Sequence, residues 1–264
     1  MDDLSHREHS LFTSTISGDV DGDPTILGQN LTKVATTRSF AWIVGSLWLG
    51  RSLKSPKTEK VLSQALNLLV DHGPYVSGAV NTMISARAGK DLVSSLVSGL
   101  LTIGPHFGGA VNGAAKVWFE SVERKLAPAE VVESFAKRKE YIQGIGHKKY
   151  RIDLPDPRVP ILLKLIGNTP HPHLDFARDV AKITTSKKPN LILNVDGALA
   201  AILLDLLVHE EKLKHDEIQT LIDAEFFNAI FVLSRSVGFI AHYLDQRRLN
   251  EPLFRLPNTQ VLTK

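Results

Sequence analysis

From residue 36 almost to its C-terminus, this 264-residue chain repeats apolar side chains at helical spacing. Each run stops at a short cluster of glycine, proline or polar residues. That pattern predicts an all-α fold of many short helices. Phe40, Ile43, Val44, Leu47 and Trp48 mark a helix within 36–54. Ser55 and Pro56 make an N-cap and first-turn pair. They open a helix with Val61, Leu62, Ala65, Leu66, Leu69 and Val70 on one face, expected to stop at Gly73-Pro74. Residues 76–103 are rich in Ser, Ala and Gly and read as closely packed core helices, split near Ala88-Gly89. Gly108-Gly109 opens a helix running to Lys125, and 129–140 is short and amphipathic. Residues 141–160 read as a loop, 174–185 as helix and 186–190 as a connector. Residues 197–208 read as a buried helix. Residues 216–246 support one or two long helices, broken near Gly238, and the tail 249–264 has no period.

Residues 10–31 differ. Two apolar stretches, 12–17 and 25–27, flank a cluster of turn formers at 18–24, which predicts a β-hairpin. Asp19, Asp21 and Asp23 have the spacing that opens an EF-hand loop. Pro24 stands where that loop needs glycine and Asn30 where it needs glutamate, so the turn is read as structural.

Composition narrows the function classes. Apolar residues make up 43% and charged residues 22%, as in ordinary globular domains. A net charge of +3 without any long Lys/Arg run argues against a nucleic-acid partner. There is no cysteine, which excludes disulfides, thiolate zinc sites and cysteine nucleophiles. The first ten residues are polar and acidic, unlike a secretory signal. The apolar stretch 191–208 carries Asp196 and Asp205, which argues against a membrane span. The expectation is a cytoplasmic chain.

Three separated segments hold the candidate chemistry: Asp71-His72-Gly73-Pro74, Gly144-Ile145-Gly146-His147 and Asn194-Val195-Asp196-Gly197. Each sets an ionisable residue beside glycine or proline at the edge of an apolar run. Brought together, two histidines and an aspartate suffice to move protons to and from a carbon acid. Each also has a plainer reading. His72 fits a helix C-terminus, and His147 fits an ordinary loop. Asp196 interrupts an apolar run, where a carboxylate is costly to bury. It serves equally as the N-cap of a helix starting at Gly197. Arg158, Arg235 and Arg255 are candidate carboxylate forks, Arg235 having apolar neighbours on both sides. Lys187 and Lys188 read as surface residues or phosphate contacts. His171, His173, His209 and His215 lack the spacing of a helical zinc site, and no metal is expected. No P-loop, dinucleotide fingerprint or nucleophile elbow is present.

These segments, in order along nearly the whole chain, resemble the citrate synthase superfamily. They are most similar to the citryl-CoA lyase module of ATP-citrate lyase. The likeness rests on residues 71–78, 86–95, 98–104, 144–147, 155–158, 231–242 and 243–248, and above all on the long run 182–197. It implies the citrate synthase fold, with a large helical domain (about 1–140 and 200–264) and a small one (141–199). It also implies a homodimer or higher homo-oligomer with shared active sites. It implies retro-Claisen cleavage of citryl-CoA to acetyl-CoA and oxaloacetate, with His72, His147 and Asp196 catalytic. Arg158, Arg235 and Arg255 would bind carboxylates, Arg255 from the partner subunit, and Lys187 and Lys188 would lie near the phosphates of coenzyme A. No permanently bound cofactor is implied, coenzyme A being part of substrate and product.

Two positions depart from the pattern. The histidine of the synthases' GPLHG-like segment is glycine in Gly104-Pro105-His106-Phe107-Gly108-Gly109, with His106 two positions earlier. Lys148 follows His147 where the lyase modules often have arginine. The ATP-grasp, phosphohistidine and CoA-ligase parts of ATP-citrate lyase have no counterpart in this sequence. The expectation is therefore an ATP-independent lyase. A separate citryl-CoA synthetase would supply its substrate, in a two-enzyme citrate cleavage of the reductive citric acid cycle and its carbon fixation. Citrate synthase-type condensation and a noncatalytic subunit role are the alternatives.

Overall fold

The structure, a computed structural model, describes residues 12–262. The reading of the N-terminal ten residues lies outside them. Two compact units emerge, Met1–Lys54 and Ser55–Lys264.

The first unit opens with three short antiparallel strands, β1 (Ser17–Val20), β2 (Asp23–Ile26) and β3 (Gln29–Asn30). The expected hairpin is present but its turn is tighter. Asp21 and Gly22, both with positive φ (55° and 86°), make the two-residue loop alone. The other turn formers therefore become strand, with Asp19 opposite Pro24. Pro24 lacks an N–H but has a neighbour on one side only, because β3 reaches just Thr25 and Ile26. Asp19 accepts the Gly22 N–H at 2.8 Å and Asp23 the Asn30 amide at 3.3 Å, so these acids serve the turn. Two helices follow, α1 (Leu31–Thr37), capped by Asn30, and α2 (Phe40–Leu49), capped by Ser39. Trp42 is buried and donates its indole N–H to Leu53 O at 3.1 Å.

The second unit is helical. α3 (Pro56–Leu69) starts on the Ser55 cap and ends four residues before Gly73. α4 (Ser77–Arg87) and α5 (Leu92–Leu100) are parted at Gly89, as the sequence predicts. Their small residues permit close approach: a Cβ on Gly99 would lie 2.2 Å from Thr82 Oγ1, and one on Gly78 2.1 Å from the Phe239 ring. α6 (Ala110–Glu123) and α7 (Pro128–Arg138) follow. α8 (Arg158–Ile166) begins inside the segment read as loop. Its Pro160 sits in the first turn, where a missing N–H removes no intrahelical bond, and Leu162 and Ile166 are buried.

α9 (Pro172–Lys187) leads to α10 (Val195–His209), around which this unit is built. α10 packs against α3, α6, α8 and α9, and Leu199, Ile202, Leu203 and Leu206 are at most 1% exposed. Burying each contributes about 1.5–3 kcal/mol. Its interior carboxylate, Asp205, is satisfied across the packing. It accepts the His173 and Leu174 backbone N–H groups at 3.0 Å each and meets His173 Nδ1 at 2.7 Å, capping the start of α9. The segment expected as the small domain, 141–199, lies within this unit.

α11 (His215–Asp223) and α12 (Phe226–Leu249) complete the helices, ahead of a 3-10 turn at Asn258–Gln260. The predicted break at Gly238 is absent. The chain breaks instead at Ala224–Glu225, where Glu225 has φ 58°, and α12 runs straight through Gly238. That glycine serves close approach: a Cβ there would stand 2.2 Å from Val70 O. Among the described residues α12 alone is long and apolar enough to cross a membrane by length and composition. Here it packs against α3, α4, α5 and α6.

Candidate active site

His72 lies in the loop between α3 and α4, beyond the helix end rather than on it. Its neighbour Asp71 fixes the loop. One carboxylate oxygen accepts the Gly73 N–H at 3.0 Å, and the other meets His242 Nε2 of α12 at 3.1 Å. Burial alone would raise the Asp71 pKa, but these hydrogen bonds outweigh it and hold it below its ordinary value. Arg235, Gly238 and His242 share one face of α12. The face that seats the His72 loop therefore also presents Arg235.

His147 follows Gly146, whose φ of 98° requires glycine. The loop is tied to the strand-like approach to α10: Gly146 N donates to Ile192 O at 2.7 Å and His147 N to Asn190 O at 3.0 Å. The His147 ring is fixed by its own loop. Nδ1 accepts the Lys149 and Tyr150 N–H groups at 3.0 and 3.1 Å, which leaves the proton on Nε2. The His72 and His147 ring centroids are 6.4 Å apart.

Asp196 stands in the first turn of α10. The cap is Asn194, whose Oδ1 accepts the Asp196 and Gly197 N–H groups, so the capping role considered for Asp196 belongs to its neighbour. The Asn194 amide also donates to Gly146 O at 2.8 Å. A Cβ on Gly197 would lie 2.4 Å from Gly144 O, so the two segments touch through backbone.

Two arginines complete the cluster. Arg158, at the start of α8, is gripped by the buried Asp156 through Nε (3.0 Å) and a terminal nitrogen (2.8 Å). Arg235 is 2% exposed, its guanidinium 4.7 Å over the Phe231 ring, and its Nε and one terminal nitrogen have no protein partner. A buried fork with unpaired donors has the geometry to pair with a carboxylate. Burial lowers its pKa to about 10, so it remains a cation at neutral pH.

Arg158 lies within electrostatic reach of His72, His147, Asp196 and Arg235, and Arg235 of His72 and Asp196. Burial, then the Arg158 and Arg235 charges, push the His72 pKa below 6.5. Burial likewise lowers His147; Asp156 opposes this, while Arg158 and Lys149 add to it. Asp196 moves the other way. Burial raises it above 3.8, and the two arginines only partly offset that. The site thus combines two neutral imidazoles, a carboxyl biased toward its acid form and two cations, a set suited to carbon-acid chemistry on a polycarboxylate. Asp196 also lines a cavity of about 680 Å³ with His106, Gln143, Gly144 and Asn194.

The remaining candidates lie apart. Arg255 is exposed in the tail, which is tied to the far end of α4, where Arg87 Nε donates to Pro252 O at 2.6 Å. α4 starts beside the His72 loop and runs 11 residues, about 16 Å. Lys187 and Lys188 are exposed at the end of α9. The adjoining segment pairs with the His147 loop, Ile152 N donating to Pro189 O at 2.9 Å, so Lys148 and Lys149 lie on the paired stretch. The sequence reading missed Asp156, Asn194, Asp71 and His242 as site residues. Only Asp156, in Asp156-Pro157-Arg158, has a local signal, a carboxylate two residues from a candidate fork. Among the described residues no group of three His, Asp or Glu could hold a metal ion.

Helices α3 to α12, with this cluster at the joined loops, have the architecture of the citrate synthase fold. A family model described as the C-terminal domain of citrate synthase matches residues 25–256, and the chain belongs to that family. It is 44% identical over 255 residues to ATP-citrate synthase of Homo sapiens, covering 95% of this chain and 23% of the human protein. It superposes with a TM-score of 0.92 and 37% identity on a mutant Methanosaeta concilii ATP citrate lyase in complex with (3S)-citryl-CoA, covering 98% of this chain and 42% of that one. Against citryl-CoA lyase from Hydrogenobacter thermophilus the TM-score is 0.82 at 25% identity, covering 97% of this chain and 94% of that one. The chain therefore spans less than half of the ATP-citrate synthase and lyase chains it matches, and nearly all of the stand-alone lyase.

Proposed function

We propose that this chain is a citryl-CoA lyase, cleaving citryl-CoA to acetyl-CoA and oxaloacetate without ATP. The observation that carries the reading is that Arg158 lies within electrostatic reach of His72, His147 and Asp196, and Arg235 of His72 and Asp196, with Asp196 biased toward its acid form and both histidines toward their neutral form. Arg235, with its unpaired donors, and Arg158, held by Asp156, take the carboxylates. His147 donates its Nε2–H to the tertiary oxygen, since Nδ1 is already engaged. His72, neutral and beside it, accepts the hydroxyl proton. The carbon–carbon bond then breaks, its electrons forming the thioester enolate, and the Asp196 acid protonates the enolate carbon. Each such proton transfer is worth about 10²–10⁴-fold.

Lys148, Lys149, Lys187 and Lys188 form a basic edge beside the His147 loop, suited to the phosphates of coenzyme A. Arg255 reaches an active site when a second copy of the chain presents its tail, which makes the working form a homodimer or larger. A separate citryl-CoA synthetase supplies the substrate.

The test is citryl-CoA without ATP, with oxaloacetate followed through malate dehydrogenase and NADH and Asp196→Asn as control. Oxaloacetate formation that is lost in the variant supports the lyase. Free CoA from acetyl-CoA plus oxaloacetate, with no cleavage, replaces it by the condensing reading. Inactivity in both directions indicates a noncatalytic subunit.

A further inference from the structure

We propose that Tyr150 is a positioning residue, bracing the ring face of His147 so that Nε2 stays aimed at the tertiary oxygen. This role rests on the lyase reading above and adds to the backbone bonds that set the His147 tautomer. Those bonds leave the ring plane loose. A neutral imidazole has one acceptor nitrogen, with a single in-plane lone pair. Here two donors share it, Lys149 N at 3.0 Å and Tyr150 N at 3.1 Å. A shared pair decides which nitrogen carries the proton, but the ring still pivots about the shared acceptor. An acid must hold its proton within hydrogen-bond reach of the oxygen it serves, so the plane needs its own support.

The Tyr150 ring is placed to give it. Its centroid is 4.5 Å from that of His147 and the planes are inclined by 37°, within stacking range and well short of edge-on. One residue thus holds the imidazole twice, at its edge through the backbone N–H and at its face through the side chain. Lys148 and Lys149 are exposed, whereas Tyr150 is half-buried against the site. Lys149 Nζ lies 5.4 Å over the Tyr150 ring, a cation–π contact that steadies it. His72 has no comparable brace. It meets His147 and Tyr75 edge-on, each at 6.4 Å, and Tyr75 is 76% exposed.

The loop that carries Tyr150 is anchored on both sides of it. His147 N donates to Asn190 O at 3.0 Å and Ile152 N to Pro189 O at 2.9 Å. Just beyond, Arg151 and Leu154 exchange backbone bonds at 3.0 Å each, closing the turn. Held at both ends, the segment presses the ring on His147 instead of letting it swing away. The same contact keeps water from that face of the imidazole. Burial is the largest cause that lowers the His147 pKa. Arg158 and Lys149 add to it, Asp156 opposes it, and His72 stands at the ring's edge. Removing the Tyr150 ring opens the face to water and leaves those charges in place.

Tyr150→Ala should lower kcat for citryl-CoA cleavage by about tenfold to a hundredfold. KM should change little, because Arg158 and Arg235, which take the carboxylates, are untouched. NMR of the ligand-free protein gives a second readout. The His147 ring C–H signals, assigned by their loss in His147→Asn, should titrate at higher pH in Tyr150→Ala than in wild type. Tyr150→Phe keeps the ring and drops the hydroxyl, and should restore both kcat and the titration midpoint. Tyr150→Leu fills the space without a flat face. It should lose kcat likewise while melting near wild type, and it carries the test if Tyr150→Ala folds poorly. Wild-type kcat in the Ala and Leu variants overturns the assignment. So does an unmoved His147 titration in Tyr150→Ala, a loss confined to KM, or a Tyr150→Phe protein as impaired as Tyr150→Ala. The NMR arm needs no turnover. A wild-type protein that cleaves no citryl-CoA, with His147 titrating as expected, therefore overturns the lyase reading and leaves the ring contact standing.

Discussion

Asn194 donates its side-chain amide to Gly146 O at 2.8 Å, one residue before His147, while its Oδ1 caps the turn that carries Asp196. One side chain thus sets the spacing of two proposed catalytic groups. Asn194→Ala is expected to cost about 1 kcal/mol through the lost cap, a fall of about 2–4 °C in Tm. Its kcat should drop by about a hundredfold, because the two groups lose their register. Asn194→Asp keeps a capping oxygen but loses the donor, so its Tm should stay near wild type while kcat remains low. Thermal melts paired with citryl-CoA cleavage check both.

Asp196 carries a stability cost at neutral pH. Its folded pKa is raised, chiefly by burial, so the folded state holds the proton to a higher pH than the unfolded chain. As pH rises from the ordinary carboxylate value of 3.8 through the raised one, the unfolded state gains charge more readily and stability is lost. Asp196→Asn should therefore melt above wild type at pH 7, by about 2 °C for each kcal/mol recovered. The difference should shrink on acidification toward pH 4, while activity stays abolished. Melting curves across that range decide it; a variant less stable than wild type at pH 7 contradicts the argument.

Arg235 is a buried cation with unpaired donors, which costs stability until a carboxylate arrives. Arg235→Gln should raise KM for citryl-CoA by about a hundredfold or more without lowering Tm. Arg235→Lys should not rescue it, because a point charge cannot form the paired bonds. Steady-state kinetics and melts on both variants test this.

On the proposed mechanism the histidines set the acid limb of the pH profile. Burial and neighbouring arginines lower the His72 pKa, so it stays neutral to lower pH than an ordinary imidazole, as the proposed role of accepting the hydroxyl proton requires. The acid limb of cleavage should therefore lie below that expected of an unperturbed imidazole. Replacing Arg158 with Gln removes one depressing charge and should shift that limb upward. A limb unmoved by the substitution would rule out His72 as the titrating base.

Much of the fold was written locally. The Ser55-Pro56 start, the split at Gly89 and the buried run of α10 follow from caps, glycine and apolar period, properties that act over a few residues. His72, His147, Asp196 and Arg235 were also legible as candidates, since each breaks a local rule: a charge in an apolar run, or an ionisable group beside glycine. Their supports were not. His242 meets Asp71 across 171 positions and Asn194 meets Gly146 across 48, and no local pattern encodes such pairs.

Gly238 shows where the boundary falls. The sequence by itself determined that a residue without a side chain stands in the middle of an apolar helix. Such a residue either loosens the backbone or lets another chain segment close in, and the choice depends on what packs against it. Only the tertiary structure decided: Val70 O occupies the space of the missing Cβ. The helix continues, and the loop bearing His72 is seated on the face that presents Arg235. Local chemistry fixed the helices and the candidate groups, whereas their convergence came from packing between segments far apart in the chain.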